Sequence, residues 1–376
     1  MSIERVAVDL TWVRHQKVGG TESCIRNLLD GFAQVMPPDL LFVLLVTKDN
    51  ADSFKIYKNY SCFQLLVCNV NSCSQSKRVV WQNIKMGKLL RHLKIYKCLE
   101  PVYGKPFFGT KNIKFITTIH DLQAKHYPQY FSRRRVAWMK ISWKNAVKTS
   151  DKIVAISNFV KQDIVETYHI AKDKVQVIYD AVVLDTESCA DEGILDKYKI
   201  EKSKYYYTVS SMFLHKNLKT AVLVIAELKK RHSKVFYPLV ISGIGGRKRE
   251  ELDKIIYDNN LQNDIIFTSY VSDKERNTLY KYCKAFVFSS IFEGFGMPPI
   301  EAMAMDIPIL TTRRTSIEEI TGGLLNYVEN PMDVTEWANK LEGHLVIPSR
   351  NKTEIILRRY DCSYIAVQYM DLIKAI

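Results

Sequence analysis

Short apolar runs that alternate with helical patterns along almost the whole chain constrain its fold more than any other feature. Leu40–Thr47 (Leu-Leu-Phe-Val-Leu-Leu-Val-Thr) and Lys114–Ile119 read as buried strands of a first domain. Residues 206–210, 237–242, 265–268 and Ala285–Phe288 read as strands of a second, and 307–311 as one more. Helices are predicted at residues 22–34, 157–168, 219–232, 247–259, 273–283 and 299–305. Strands alternating with helices imply parallel sheets with crossover helices. A chain of 376 residues is too long for one ordinary domain and suits two, each burying its own core. The changeover falls after Val175-Gln-Val-Ile-Tyr-Asp-Ala, in the polar, acidic stretch 185–192. This sets the domains at 1–183 and 184–354. No internal repeat and no low-complexity segment interrupts the pattern.

Composition is that of a globular protein, 47% hydrophobic and 25% charged. No stretch approaches the roughly 18 apolar residues that span a bilayer. The opening Met-Ser-Ile-Glu-Arg-Val-Ala-Val-Asp-Leu reads as a first strand carrying charges, not a signal peptide. Eight cysteines lie scattered without a Cys-x2-Cys pair, which argues against a zinc site and for reduced thiols in a cytoplasm. No Asp-x-Asp occurs, so no metal–diphosphate clamp and no cofactor is expected.

The most chemically informative segment runs from Ser289 to Thr312. Glu293 and Glu301 flank a Gly-x-Gly-x-Pro-Pro loop that feeds a helix. Gly294 and Gly296 allow backbone angles that leave room for a ligand, and Pro298 and Pro299 suit a first helical turn. The remaining amides of Gly294, Phe295, Gly296 and Met297, with the helix dipole, make a site for phosphate. Glu301, placed in the first turn, is favoured there as an anion. Phosphate oxygens held by amides and sugar hydroxyls held by carboxylates suit a nucleotide-sugar. A Gly-x-Gly at a strand–helix junction is common, however, and either glutamate could cap a helix or face water.

This segment resembles the Glu-x7-Glu signature of the retaining glycosyltransferases of family 4, of the bacterial surface-polysaccharide type. That resemblance implies a GT-B architecture, two Rossmann-like doubly wound domains facing a central cleft. It implies that Glu293 lies against the donor sugar and Glu301 binds the ribose hydroxyls. Other segments match in order. Val18-Gly19-Gly20-Thr21-Glu22 resembles the family's N-terminal glycine loop, and Thr118-Ile119-His120-Asp121-Leu122 its His-Asp turn. Residues 153–159 are similar to the last strand of its first domain. His215-Lys216-Asn217-Leu218 resembles the Arg-Lys-Asn-Leu stretch whose lysine binds the diphosphate. Tyr270-Val271-Ser272-Asp273 resembles the loop bordering the nucleotide base. The final helix, 351–376, would then return to the first domain, with 355–376 packing on it.

The resemblance also assigns roles. Lys216 and the loop amides stabilise the charge on the departing diphosphate, and Gly19 and Gly20 approach the phosphates. His120 sits near the reacting carbon, although a His-Asp pair could be only a turn with a side-chain hydrogen bond. Two positions depart from the family pattern. The arginine often found six residues before the lysine is Ser210, and the residue just before it is His215. Arg247, in Gly-Ile-Gly-Gly-Arg, is the candidate replacement. Ser289-Ser290 stands for the usual Pro-Ser, a minor change.

A net charge of +14 calls for an acidic partner. Between residues 77 and 114 ten Lys and Arg face one acid, Glu100, with Trp81, Tyr96, Tyr103, Phe107 and Phe108 among them. A second basic stretch holds Arg133, Arg134, Arg135, Trp138, Lys140, Trp143, Lys144 and Lys148. In a helix Lys140, Lys144 and Lys148 share one face, while Val136, Met139, Trp143 and Val147 form another. A basic amphipathic helix with tryptophan is the pattern of a membrane-surface anchor; the plainer reading makes the tryptophans core. No nucleic-acid module is present.

The expectation is a metal-independent hexosyltransferase in the cytoplasm, attached peripherally to the inner face of the bacterial inner membrane. Its donor is a nucleotide-sugar, GDP-mannose ahead of UDP-sugars. Its acceptor is a lipid-linked saccharide of O-antigen or capsule assembly. Other polysaccharide-assembly glycosyltransferases are expected partners. The alternatives are a UDP-sugar-dependent transferase (glucose, GlcNAc or galactose), a nucleotide-sugar 2-epimerase and a non-catalytic membrane-surface scaffold.

Overall fold

The computed structural model describes residues 3–14, 19–189, 192–244 and 249–376. The chain divides into two compact units, Met1–Val183 with Arg359–Ile376, and Leu184–Arg358.

The first unit is built on a seven-stranded sheet: β1 (Glu4–Asp9), β2 (Leu40–Thr47), β3 (Phe63–Cys68), β4 (Lys97–Glu100), β5 (Lys114–Ile119), β6 (Lys152–Ala155) and β7 (Val175–Val177). The order is β3-β2-β1-β4-β5-β6-β7, and every adjacent pair is parallel. Side chains of a strand alternate between faces, so the sheet has two cores. Val6, Val8, Phe42, Leu44 and Val46 pack with helices Gly20–Val35 and Cys362–Lys374. Ala7, Val43 and Leu45 pack on the other face with Trp81, Met86 and Leu90.

The second unit has a six-stranded sheet: β8 (Tyr206–Val209), β9 (Leu239–Ser242), β10 (Ile265–Ser269), β11 (Ala285–Phe288), β12 (Ile309–Thr312) and β13 (Asn326–Val328). Its order is β10-β9-β8-β11-β12-β13, again all parallel. Helices Leu218–Lys230 and Val334–Glu342 cover one face, with Trp337 wholly buried in that core. Both units are therefore doubly wound parallel α/β sheets. In each, the strand order reverses once, at β1/β4 and at β8/β11, and such reversals open a crevice at the carboxyl ends of the strands.

Three expectations need correction. The C-terminal segment is not one helix: helix Arg350–Leu357 stops, and Cys362–Lys374 restarts behind an extended Asp361. The Asp361 carboxylate accepts hydrogen bonds from the Ser363 and Tyr364 amides, which makes it an N-cap and fixes the break. Residues 153–159 do not hold the last strand of the first unit, because β7 follows β6 and forms the edge. The helix predicted at 247–259 runs Glu250–Asp258; residues 247 and 248 lie outside the described set.

Candidate functional site

In the second unit the predicted residues gather at the β8/β11 reversal. β8 ends in a loop and a 3-10 turn, Leu214–Lys216, and Asn217 then takes a left-handed conformation (φ 52°) and opens helix Leu218–Lys230. β11 runs into Ser289, Ser290 and the Glu293 loop. Two serines join the loops: Ser289 Oγ donates to the carbonyls of Lys216 (2.9 Å) and Asn217 (3.0 Å), and Ser290 Oγ to that of His215 (3.2 Å). The pair read as a minor departure thus fastens one half of the site to the other. The outcome is an ion pair, Lys216 Nζ to Glu293 Oε1 at 2.6 Å, with the two side chains 21% and 12% exposed. From the far side, Thr315 Oγ1 accepts from the Glu293 amide at 3.0 Å, and Ser316 Oγ donates to the Glu293 and Phe295 carbonyls.

Gly296, at φ 112°, caps helix Met297–Ala304. A side chain there would be strained and would meet Ile320 at 3.2 Å. Gly294, Phe295 and Gly296 are buried in this turn and Met297 is half-buried. Because the helix starts at Met297 rather than Pro299, Glu301 is its fifth residue and lies outside the first turn. The helix-terminus explanation for Glu301 is therefore replaced by side-chain contacts. Tyr280 Oη donates to Glu301 Oε2 at 3.1 Å, and Arg276 Nε stands 3.6 Å from the same oxygen. Arg276, half-buried on helix Asp273–Tyr282, was missed by sequence reasoning. Its only sequence signal was its place on the helix following the Tyr270 loop.

Asn217 is buried, with its side chain donating to the Pro331 carbonyl and accepting from Thr220 Oγ1, so it shapes the turn. Tyr270 is exposed and Val271 half-buried on the loop after β10, just before the Ser272 capping box. Arg247 and Val18 lie outside the described residues.

Next to Lys216, His215 is 5% exposed, its ring stacked on Phe213 and edge-on to Phe292. Burial, with the neighbouring Lys216 charge, pulls its imidazole down to about 4. The unfolded chain then takes up a proton near pH 6.5 that the folded unit refuses until about pH 4. Stability from this residue is full above 6.5 and lost as pH falls towards 4, by about 3 kcal/mol at most. Chemical denaturation at pH 7 and pH 5 should show about 2 kcal/mol of this loss, and His215→Gln should lose markedly less over the same interval. Equal losses in both proteins would remove His215 from the account.

In the first unit, the β1/β4 reversal places Asp9 beside Glu100, the last residues of their strands. Asp9 is held by the Thr11 amide and hydroxyl and by Gln82 Nε2 at 2.6 Å. Burial, then the Asp9 charge, pushes the Glu100 carboxyl well up. Above them opens a cavity of about 390 Å³, lined by Glu100, Arg78, Lys105, Arg135, Trp12 and Tyr103 among others. Lys105 is buried, with Nζ donating to the Thr149 carbonyl at 2.6 Å.

The helix Arg133–Thr149 forms as predicted, but its tryptophans turn inward. Trp143 is 3% exposed and stacks on Tyr103, and half-buried Trp138 lies 5.9 Å from Phe107; both line the cavity. Arg133, Arg134, Lys140 and Lys144 remain on the solvent side. The basic stretch 77–114 is not a single charged face either, since Lys97 pairs with Glu4, Lys114 with Asp151, and Arg91 with the Gly109 carbonyl.

Gly19 (φ 74°) caps helix Gly20–Val35, and both glycines are exposed. His120 follows β5 and is 7% exposed, its Nε2 2.8 Å from the Pro101 carbonyl. A carbonyl only accepts, so Nε2 carries hydrogen. Cys24 and Asp180 lie beside the ring. Gly19, Gly20 and His120 thus belong to the first unit, and Lys216, Glu293 and Glu301 to the second.

Two family models match separate parts of the chain. The model of "Glycosyl transferases group 1" matches residues 192–352, and that of "Glycosyltransferase Family 4" residues 99–186. An O-antigen chain mannosyltransferase of Salmonella typhimurium is 29% identical over 302 residues, 79% of each chain. O-antigen chain mannosyltransferase B of Escherichia coli is 26% identical over 224 residues, spanning only 58% of each. Among solved structures, a glycosyltransferase of Rickettsia africae superposes with a TM-score of 0.73 at 18% identity, covering 100% of this chain and 99% of that one. The Anabaena protein HepE, crystallised with UDP-glucose, gives 0.74 at 14% identity, covering 99% and 100%. These last two likenesses speak for the fold. With both family models matched in order and the architecture shared over full length, the chain belongs to the retaining family 4 (group 1) glycosyltransferases of GT-B fold.

Proposed function

We propose that this glycosyltransferase moves mannose from GDP-mannose to a lipid-linked saccharide in surface-polysaccharide assembly, at the cytoplasmic face of a membrane. The observation that carries the donor site is the Lys216–Glu293 ion pair at the β8/β11 reversal. A lysine there meets the diphosphate and stabilises the charge that develops as the sugar–phosphate bond breaks. Glu293, released from Lys216, takes the donor sugar, and Glu301 takes the ribose hydroxyls beside Arg276. Tyr270 and Val271 border the base. Gly19 and Gly20 approach the phosphates, and His120 is the group near the reacting carbon.

The first-unit cavity suits an acceptor saccharide: aromatic walls stack on sugar faces, Glu100 offers a hydrogen bond to hydroxyls, and Arg78 and Arg135 suit a phosphate. Contact with an anionic membrane falls to Arg133, Arg134, Lys140 and Lys144, with the exposed Ile141 among them. Mannose is favoured because both full-name relatives above are O-antigen mannosyltransferases.

A thermal-shift panel of GDP, UDP, GDP-mannose, UDP-glucose, UDP-GlcNAc and UDP-galactose tests the donor. A ligand that binds only the folded state raises Tm by mass action. GDP and GDP-mannose should raise it, and Glu301→Ala should lose the rise. A rise with the UDP set alone would overturn the mannose assignment, and no rise with any ligand would overturn the donor site.

A further inference from the structure

One constellation in the first unit joins His120 to two residues, Cys24 and Asp180, that the proposed function leaves unused. Cys24 lies on helix Gly20–Val35, His120 follows β5 and Asp180 follows β7. Far apart in sequence, they bring one thiol sulfur, one ring nitrogen and one carboxylate oxygen within 4.8 Å of one another. His120 and Asp180 are buried, and the Cys24 thiol is enclosed with them.

We propose that Cys24, His120 and Asp180 form a regulatory binding site for zinc, whose occupancy ties up His120 and inhibits transfer. Thiolate and imidazole together select zinc over magnesium or calcium. Three protein ligands leave one position of a tetrahedron open, and a space of about 20 Å³ bordered by all three residues is large enough for one water. The outer support is also built. Nε2 of His120 is engaged by the Pro101 carbonyl at 2.8 Å, which leaves Nδ1 with its lone pair as the ligand atom. Tetrahedral bonds of about 2.0–2.3 Å put ligand atoms about 3.3–3.8 Å apart, so the three close by about 1 Å around the ion. On binding, the Cys24 thiol proton leaves to solvent as the sulfur–zinc bond forms. The inhibition rests on the role proposed for His120 above; the binding does not.

Cobalt(II) is the spectroscopic probe, added to the purified full chain under reducing conditions. The expected result is one equivalent bound, with tetrahedral visible bands and a thiolate-to-cobalt charge-transfer band that zinc displaces. Cys24→Ser should abolish the charge-transfer band, Asp180→Asn should weaken binding at least about tenfold, and Cys73→Ser should change neither. Absence of the band in the parent protein, or its survival in Cys24→Ser, overturns the site. In the transfer assay, zinc should inhibit the parent and spare Cys24→Ser. A protein that shows the band and transfers sugar unaffected by zinc overturns the inhibitory role while leaving the family assignment intact.

Discussion

Lys216→Ala and Glu293→Ala should each lower turnover about 100- to 1,000-fold with any nucleotide-sugar the protein accepts. Removing one preorganised group that meets the developing charge costs that much in other enzymes. The second loss has the same size for a different reason. Glu293 is bound to Lys216 at 2.6 Å, so it also fixes where the ammonium waits. The double variant should therefore be little worse than either single one, as happens when groups act as a unit. Stability separates chemistry from folding here. The pair is partly solvated, 21% and 12% exposed, and the serine and threonine hydrogen bonds that hold both loops remain in each variant. Single-turnover rates and Tm measured together decide the matter. Rates within threefold of the parent, or a rate loss matched by unfolding, would remove the pair from the catalytic centre.

The candidate site was legible because its residues cluster within two short stretches, 215–217 and 293–301, each following a parallel strand. What escaped the sequence depended on backbone geometry or on long-range contacts. Glu301 shifted by two positions in its helix because Gly296, in a left-handed conformation, starts the helix at Met297. Arg276 came beside Glu301 through the packing of two helices that are separate in sequence. The Cys24, His120 and Asp180 group was invisible to spacing rules, which detect only ligands near one another along the chain. In the fold, Leu40–Thr47 announced itself by being apolar on both faces. The edge strand Phe63–Cys68 mixes exposed and buried positions, and β4 and β13 span four and three residues, too few for a period to show. Trp138 and Trp143 had the pattern of a membrane helix and of a core helix alike; only burial against Tyr103 and Phe107 separates the two.

Gly31 is where a single methyl group should do the most structural damage. In the interior of an exposed helix, Gly→Ala gains about 1 kcal/mol. Gly31 lies instead where helix Gly20–Val35 meets the start of helix Cys362–Lys374. A Cβ there would sit 2.1 Å from the Cys362 carbonyl oxygen and 3.0 Å from the Ala366 Cβ. The obstacle is backbone, and Asp361 caps that helix end rigidly, so one helix must move away from the other. Gly31→Ala should thus destabilise by about 2–3 kcal/mol, and Gly31→Val by more. Gly20→Ala, with nothing within 4 Å of its Cβ, should leave Tm nearly unchanged. The C-terminal helix also reaches the His120 neighbourhood: Tyr369 Oη is 3.1 Å from Thr118 Oγ1 on β5 and lines the small space beside Cys24 and Asp180. Undocking it should expose the C-terminal segment to protease before the rest of the first unit unfolds. Thermal melts with limited proteolysis test both effects; a Gly31→Ala protein as stable as the parent would mean that the two helices do not meet at this notch.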